Sequence, residues 1–226
     1  MDFRKNRNIR LINNVIAHEV GHLIASLLLN KIQDEPRATK ITLRWLEDLQ
    51  RPGGQIDYSI KEGFERWIFP KDFNLCYHTI LSLYSGCIWE QFFDSIYHQR
   101  DLDIHKIENC YKCSGESDLL KINSINNVHL KRILTKEFAQ EKIIKPYVKI
   151  LQNISLEQKQ KLYDKFYLLA IKAESHFDNV DESLEFVLEE ADFNDLKSFI
   201  MSEFINHFEK ELAEIIKDIK EFLKLE

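Results

Sequence analysis

The sequence predicts a mainly α-helical fold with one small β-hairpin, and three observations carry that reading. Apolar residues recur at helical spacing through most of the 226 residues, strict apolar/polar alternation is confined to two short segments before residue 61, and helix-start signals crowd the second half. With 44% hydrophobic and 30% charged residues, the chain can bury a substantial core. A soft boundary is expected between residues 1–128, a core, and a helical region over 129–226 packed upon it.

Ile9, Ile12, Ile16, Leu23 and Leu27 follow helical spacing, with Leu11, Val15, Val20, Ile24 and Leu28 beside them, so a helix with a broad buried face is expected from Ile9 to Leu29. Lys40–Leu46 and Gln55–Ile60 alternate, with Ile41, Leu43 and Trp45 on one strand and Ile56, Tyr58 and Ile60 on the other. Arg51-Pro52-Gly53-Gly54 between them reads as the turn. A second long buried helix is expected over Leu75–Tyr97, an irregular stretch over Gln99–Ser117, and a third helix from about Asp118. Further helices are expected over Val128–Lys145, from Pro146, over Leu156–Glu174 behind the capping box Ser155-Leu156-Glu157-Gln158, over Asp181–Glu190, and in a long final segment from Asp195. In that last segment Met201, Ile205, Phe208, Leu212, Ile215, Ile219 and Phe222 recur at alternating four and three. Such a seam packs along its own bundle or, through residues 195–226, against a second copy or a helical partner.

A net charge of −6 with no clustered basic stripe excludes a nucleic-acid partner. Arg4, Lys5, Arg7 and Arg10 precede an apolar run, as in a signal peptide, but the run contains His18, Glu19 and His22 and no small-residue cleavage site, so it is read as mature protein. Phe73–Trp89 is uncharged throughout but carries Asn74 and His78 and falls short of the roughly 20 residues a membrane span needs. No membrane span is therefore expected. Cys76, Cys87, Cys110 and Cys113 lack a secretory context, which points to a reducing, cytoplasmic setting. Cys110-Tyr111-Lys112-Cys113 has metal-ligand spacing, yet Cys76 and Cys87 are expected to sit apart from it on the second long helix, leaving no second pair for a structural zinc site.

The chemistry concentrates in "AHEVGHLIA". On a helix, residues four apart project from one face, so His18 and His22 can turn their imidazoles toward a single metal ion while Glu19 sits one residue round, within reach of a water. Zinc in such a site brings the pKa of bound water to about 7, and the glutamate takes the proton. The uncharged flanks Ile12–Ile16 and Leu23–Leu29 place the motif in a buried helix, where unpaired polar groups are costly. Gly21 forfeits about 1 kcal/mol of helix propensity against alanine, understandable if another backbone approaches there. A catalytic zinc also needs a third protein ligand. Ala25 and Leu28 exclude the extended motif with a third histidine, Glu47 and Asp48 read as a solvated turn, and Asp118 and Glu90 remain as candidates.

The order of landmarks "HEVGHLIASLLLNK", "KITLRWL", "GGQIDY", "LYSGCIWEQFF" and "SGESDLLKI" resembles the peptidase domain of the FtsH family of ATP-dependent zinc proteases, over roughly residues 10–125. The resemblance implies a helical, zincin-like fold with His18, His22 and Asp118 as zinc ligands, Glu90 being the alternative third ligand, and Glu19 as catalytic base. Cys87 stands where that family has arginine, and Gln91 where it has a second glutamate. Seventeen residues precede His18 and no phosphate-cradling Gly-x-x-x-x-Gly-Lys occurs, so the expectation is a stand-alone zinc metallopeptidase without the family's ATPase module. Its substrates would be flexible polypeptides laid beside Gly54, Gln55, Ile56, Asp57 and Tyr58 as an added strand. Two other readings share the metal site: a degenerate zinc-binding interaction module, and a zinc hydrolase of a non-peptide amide or ester.

Overall fold

The computed structural model describes residues 3–31, 37–59, 73–128, 130, 134–178 and 184–223. It is mainly helical, with one small three-stranded antiparallel sheet. Helices α1 (Phe3–Asn30) and α2 (Phe73–Tyr97) form its centre, and Ile12, Val20, Leu23 and Ile24 of α1 and Ile80, Ile88 and Trp89 of α2 are almost completely withdrawn from solvent. A helix apolar around most of its circumference finds that environment only inside a core. Ile9–Asn30 is long and apolar enough to cross a membrane, and 78% of its most apolar window is buried in the fold.

The two helices meet where both lack bulk. A Cβ on Gly21 would lie 2.4 Å from the backbone oxygen of Ser85 and 2.9 Å from the Cα of Gly86, so the close backbone approach expected at Gly21 is realised against Ser85-Gly86. Gly21→Ala gains about 1 kcal/mol of helix propensity but forces the helices apart, and overpacking of this kind costs about 1–3 kcal/mol. The expected outcome is a net loss of stability, read as a drop of a few degrees in Tm; an unchanged or higher Tm would show that the crossing relaxes freely.

Strands β1 (Arg37–Leu46) and β2 (Arg51–Ser59) pair antiparallel as expected, but the turn is elsewhere. The chain reverses through a 3₁₀ turn at Glu47–Leu49 and Gln50, whose φ of 49° is left-handed, while Arg51–Gly54 pair with Leu46, Trp45, Arg44 and Leu43 inside the ladder. The glycines are needed there for contact with α1, not for turning. Ile60 lies outside the described residues. Glu185–Val187, expected to be helical within Asp181–Glu190, is instead β3, antiparallel to β1 on the edge opposite β2. Residues 181–183 lie outside the described residues. The open hydrogen-bonding groups of β1 and the Arg44–Glu185 ion pair, 2.8 Å apart, draw the segment into the sheet against its weak helical pattern.

Residues 104–110, expected to be irregular, form the short helix α3 (Ile104–Cys110), capped by the Asp103 side chain accepting from the His105 N–H and anchored by buried Ile107 and Cys110. Helix α4 (Glu116–Val128) follows. Helix α5 (Lys136–Ala139) runs through a π-helical turn (Gln140–Ile144) into α6 (Lys145–Gln152) without the restart expected at Pro146. The widened turn accommodates a proline that has no N–H to give and whose ring would crowd the preceding turn. Residues 129 and 131–133 of the expected Val128–Lys145 helix lie outside the described residues.

Helix α7 (Leu156–Phe177) carries the expected capping box. The long final helix is divided: α8 (Glu190–Ile200) ends in a π-helical turn (Met201–Ile205), and α9 (Glu209–Leu223) starts after a break at residues 206–208. The seam residues Ile205, Leu212, Ile215 and Ile219 are buried in the chain's own core, where α9 meets α2 and α6. Trp89 donates its N–H to the Tyr147 hydroxyl at 3.1 Å and Phe93 stacks on Phe166, so the C-terminal helices share the core of α2.

Candidate metal centre

His18 and His22 lie on the face of α1 turned toward α2 and α4, and both rings are fixed from behind. The Nδ1 of His18 donates to Glu90 Oε2 on α2 at 3.0 Å, and the Nδ1 of His22 donates to the backbone oxygen of Ser82 at 2.8 Å. With the Nδ1 proton engaged, each ring presents the lone pair of Nε2 on its other side. Both point at one atom: Asp118 Oδ2, in the first turn of α4, lies 3.0 Å from His18 Nε2 and 3.3 Å from His22 Nε2. Ligand atoms about 2.0–2.1 Å from a tetrahedral ion stand about 3.3 Å from one another.

Two lone pairs and a carboxylate oxygen facing each other, all buried, require a cation between them, a proton or a metal ion. Burial pushes the His18 imidazole toward neutrality, but Asp118, Cys110, Glu90 and the charge of Glu19 outweigh it and raise its pKa well above the ordinary value. Burial likewise pushes the Asp118 carboxyl up, and the two histidines reverse this and hold it well below the usual carboxylate range. The space is shaped for the rings. A Cβ on Gly86 would stand 2.7 Å from His18 Nε2 and 2.8 Å from His22 Cε1, so only glycine there leaves room for both. Donor set, burial and cradle all fit a metal ion.

Of the two candidates for the third position, Asp118 faces the shared Nε2 side, whereas Glu90 stands behind His18, where it also accepts from Ser114 Oγ at 2.9 Å. Lys121 reaches the other Asp118 oxygen at 3.5 Å. Glu19 is 5% exposed, and its ligand atom lies within 4.8 Å of those of both histidines. Burial raises the Glu19 pKa above the ordinary carboxyl value, partly opposed by His22 and His18. A carboxylate so placed is a strong proton acceptor.

Strand β2 passes directly over this group. A Cβ on Gly54 would stand 2.6 Å from Glu19 Oε1, so the strand approaches the carboxylate through a residue without a side chain. Between β2, α1 and α4 runs a groove of about 690 Å³ that takes in His18, Glu19, His22 and Asp118. Of the five residues expected to meet substrate, Gly54, Gln55, Ile56 and Tyr58 line it, and Asp57 does not: its carboxylate accepts from Gln55 and pairs with Lys40 at 3.3 Å. The Tyr58 hydroxyl reaches Ser82, whose own backbone holds His22, and burial raises the phenol's pKa.

Ser82 and Gly86 are site residues that no motif marks, and Cys110, marked by its spacing to Cys113, meets Cys87 instead. The signal for the first two was the run of small residues Ser82, Ser85 and Gly86 on one helix, at spacings that bring them to one face. No family model, curated protein or solved structure matches the chain.

Proposed function

We propose that the chain is a zincin-like zinc metallopeptidase that hydrolyses peptide bonds of flexible or unfolded polypeptides. The observation that carries the reading is the convergence of His18 Nε2, His22 Nε2 and Asp118 Oδ2, with Glu19 beside them, at the base of a groove walled by a β-strand. His18, His22 and Asp118 would hold the zinc, and Glu90 and the Ser82 carbonyl keep the rings in register. Bound there, zinc supplies the Lewis acidity that makes water nucleophilic near neutral pH. Glu19 accepts a proton from the attacking water and returns it to the leaving nitrogen.

Among the described residues β2 pairs only with β1, and its outer edge offers backbone hydrogen bonds to an extended peptide. Val15, Leu46 and Ile56 give the groove apolar walls that favour apolar substrate side chains. Only an unfolded segment presents its backbone in this way. The test is metal removal: a chelator is expected to abolish digestion of a denatured protein, and zinc to restore it. Digestion that survives complete removal of metal would overturn the proposal.

A further inference from the structure

Behind His18, on the side away from Asp118, lies a second group of donors. Cys87 of α2 and Cys110 at the end of α3 are 0% and 4% exposed, and their sulfurs are 2.7 Å apart. Glu90 Oε2 is 3.3 Å from Cys110 Sγ, and the ligand atoms of His18, Cys87, Glu90 and Cys110 all lie within 4.8 Å of one another. The Cys110-x-x-Cys113 spacing points to Cys113 as the companion of Cys110, but Cys113 is exposed, and the fold brings Cys110 to the buried Cys87 instead. The turn between α3 and α4 closes over them through Gly115, where a Cβ would stand 2.3 Å from Cys87 Sγ.

We infer that Cys87, Cys110 and Glu90 form a second metal site, selective for a borderline-soft divalent ion of the zinc class, with His18 Nδ1 as the neighbouring nitrogen. Two thiolates about 2.3 Å from a shared tetrahedral ion stand about 3.7 Å apart, so the sulfurs, now 2.7 Å apart, need to part by about 1 Å to hold one. A shared cation binds both while letting them separate to ordinary ligand spacing, each thiol losing its proton to solvent on binding. Two thiolates and one carboxylate around a dication leave this position with a net negative charge. The His18, His22 and Asp118 set around a dication is net positive, so occupation of both is electrostatically compatible. Thiolate donors disfavour magnesium and calcium. The site goes beyond the proposed peptidase centre and stands on its own residues, meeting that centre only at the Glu90–His18 hydrogen bond.

The experiment loads the full-length, reduced chain with Co²⁺. A sulfur-to-cobalt charge-transfer band in the near ultraviolet is expected, which a nitrogen and oxygen centre does not produce, together with about two ions per chain. Cys110→Ser and, independently, Cys87→Ser should each remove the band and lower the metal content by about one ion, with circular dichroism confirming the fold. His22→Ala should do the reverse, losing an ion and keeping the band. Cobalt bound to the reduced wild-type chain without the band would overturn the inference, as would a Cys87–Cys110 disulfide persisting in the reduced protein. A band that is present while Cys110→Ser retains no metal would support the thiolate site and reject the histidine centre, so the two readings fail separately.

Discussion

Glu19→Gln is expected to retain the metal and to lose hydrolysis of a denatured polypeptide by a factor of about 10²–10⁴, the range general-base catalysis contributes. Glutamine has the shape of the glutamate it replaces, so it fits the slot under Gly54, where the glutamate oxygen already occupies the place of a Cβ. It cannot take a proton from water. Because Glu19 does not hold the metal in this reading, zinc content and Tm should stay at wild-type values while kcat/KM collapses. Proteolysis at the wild-type rate by a variant with normal zinc would remove Glu19 from the chemistry and with it the proposed mechanism.

Asp118→Ala is expected to lower zinc content by about one ion per dialysed chain and to eliminate activity, since it removes the oxygen that both Nε2 atoms face. Losing an orienting partner of a metal-bound histidine already costs about 10–100-fold in affinity, and losing a ligand itself should exceed that range. Direct metal analysis, made beside the Cys110→Ser protein, separates this ion from the one proposed at the thiols. Unaltered zinc in Asp118→Ala would send the search for the third ligand back to Glu90. An apolar residue at this position also leaves two buried imidazoles without their counter-charge, so a loss of stability should accompany the loss of metal.

Several parts of the fold were legible because their causes are local. The capping box at Ser155 needs only residues within one helical turn, and the alternation of Ile41 and Leu43 reports a strand that turns those two side chains into the core. Gly21 was readable for a similar reason, as a residue unfavourable in its own helix. The hairpin turn misled because Pro52-Gly53-Gly54 has the composition of a turn but is used for approach to Glu19 and pairing with β1. Glu185–Val187 misled because a three-residue strand exists only by virtue of the strand it joins. The heptad seam of the final segment was real as a pattern, yet it continues across a break in the helix, each half buried against its own chain.

For the metal centre the division is sharper. The sequence by itself determined that His18 and His22 lie together on one buried helical face with Glu19 one residue round, because a four-residue spacing on a helix leaves no other arrangement. Tertiary structure decided that Asp118, one hundred residues away, meets the Nε2 atoms while Glu90 stands behind His18, and that Cys87 finds Cys110 rather than remaining alone. Those pairings depend on how closely α1 and α2 cross at Gly21 and Gly86 and on where the turn at Gly115 delivers α4. Distances of that kind are set by packing between elements far apart in the chain, and no local periodicity encodes them.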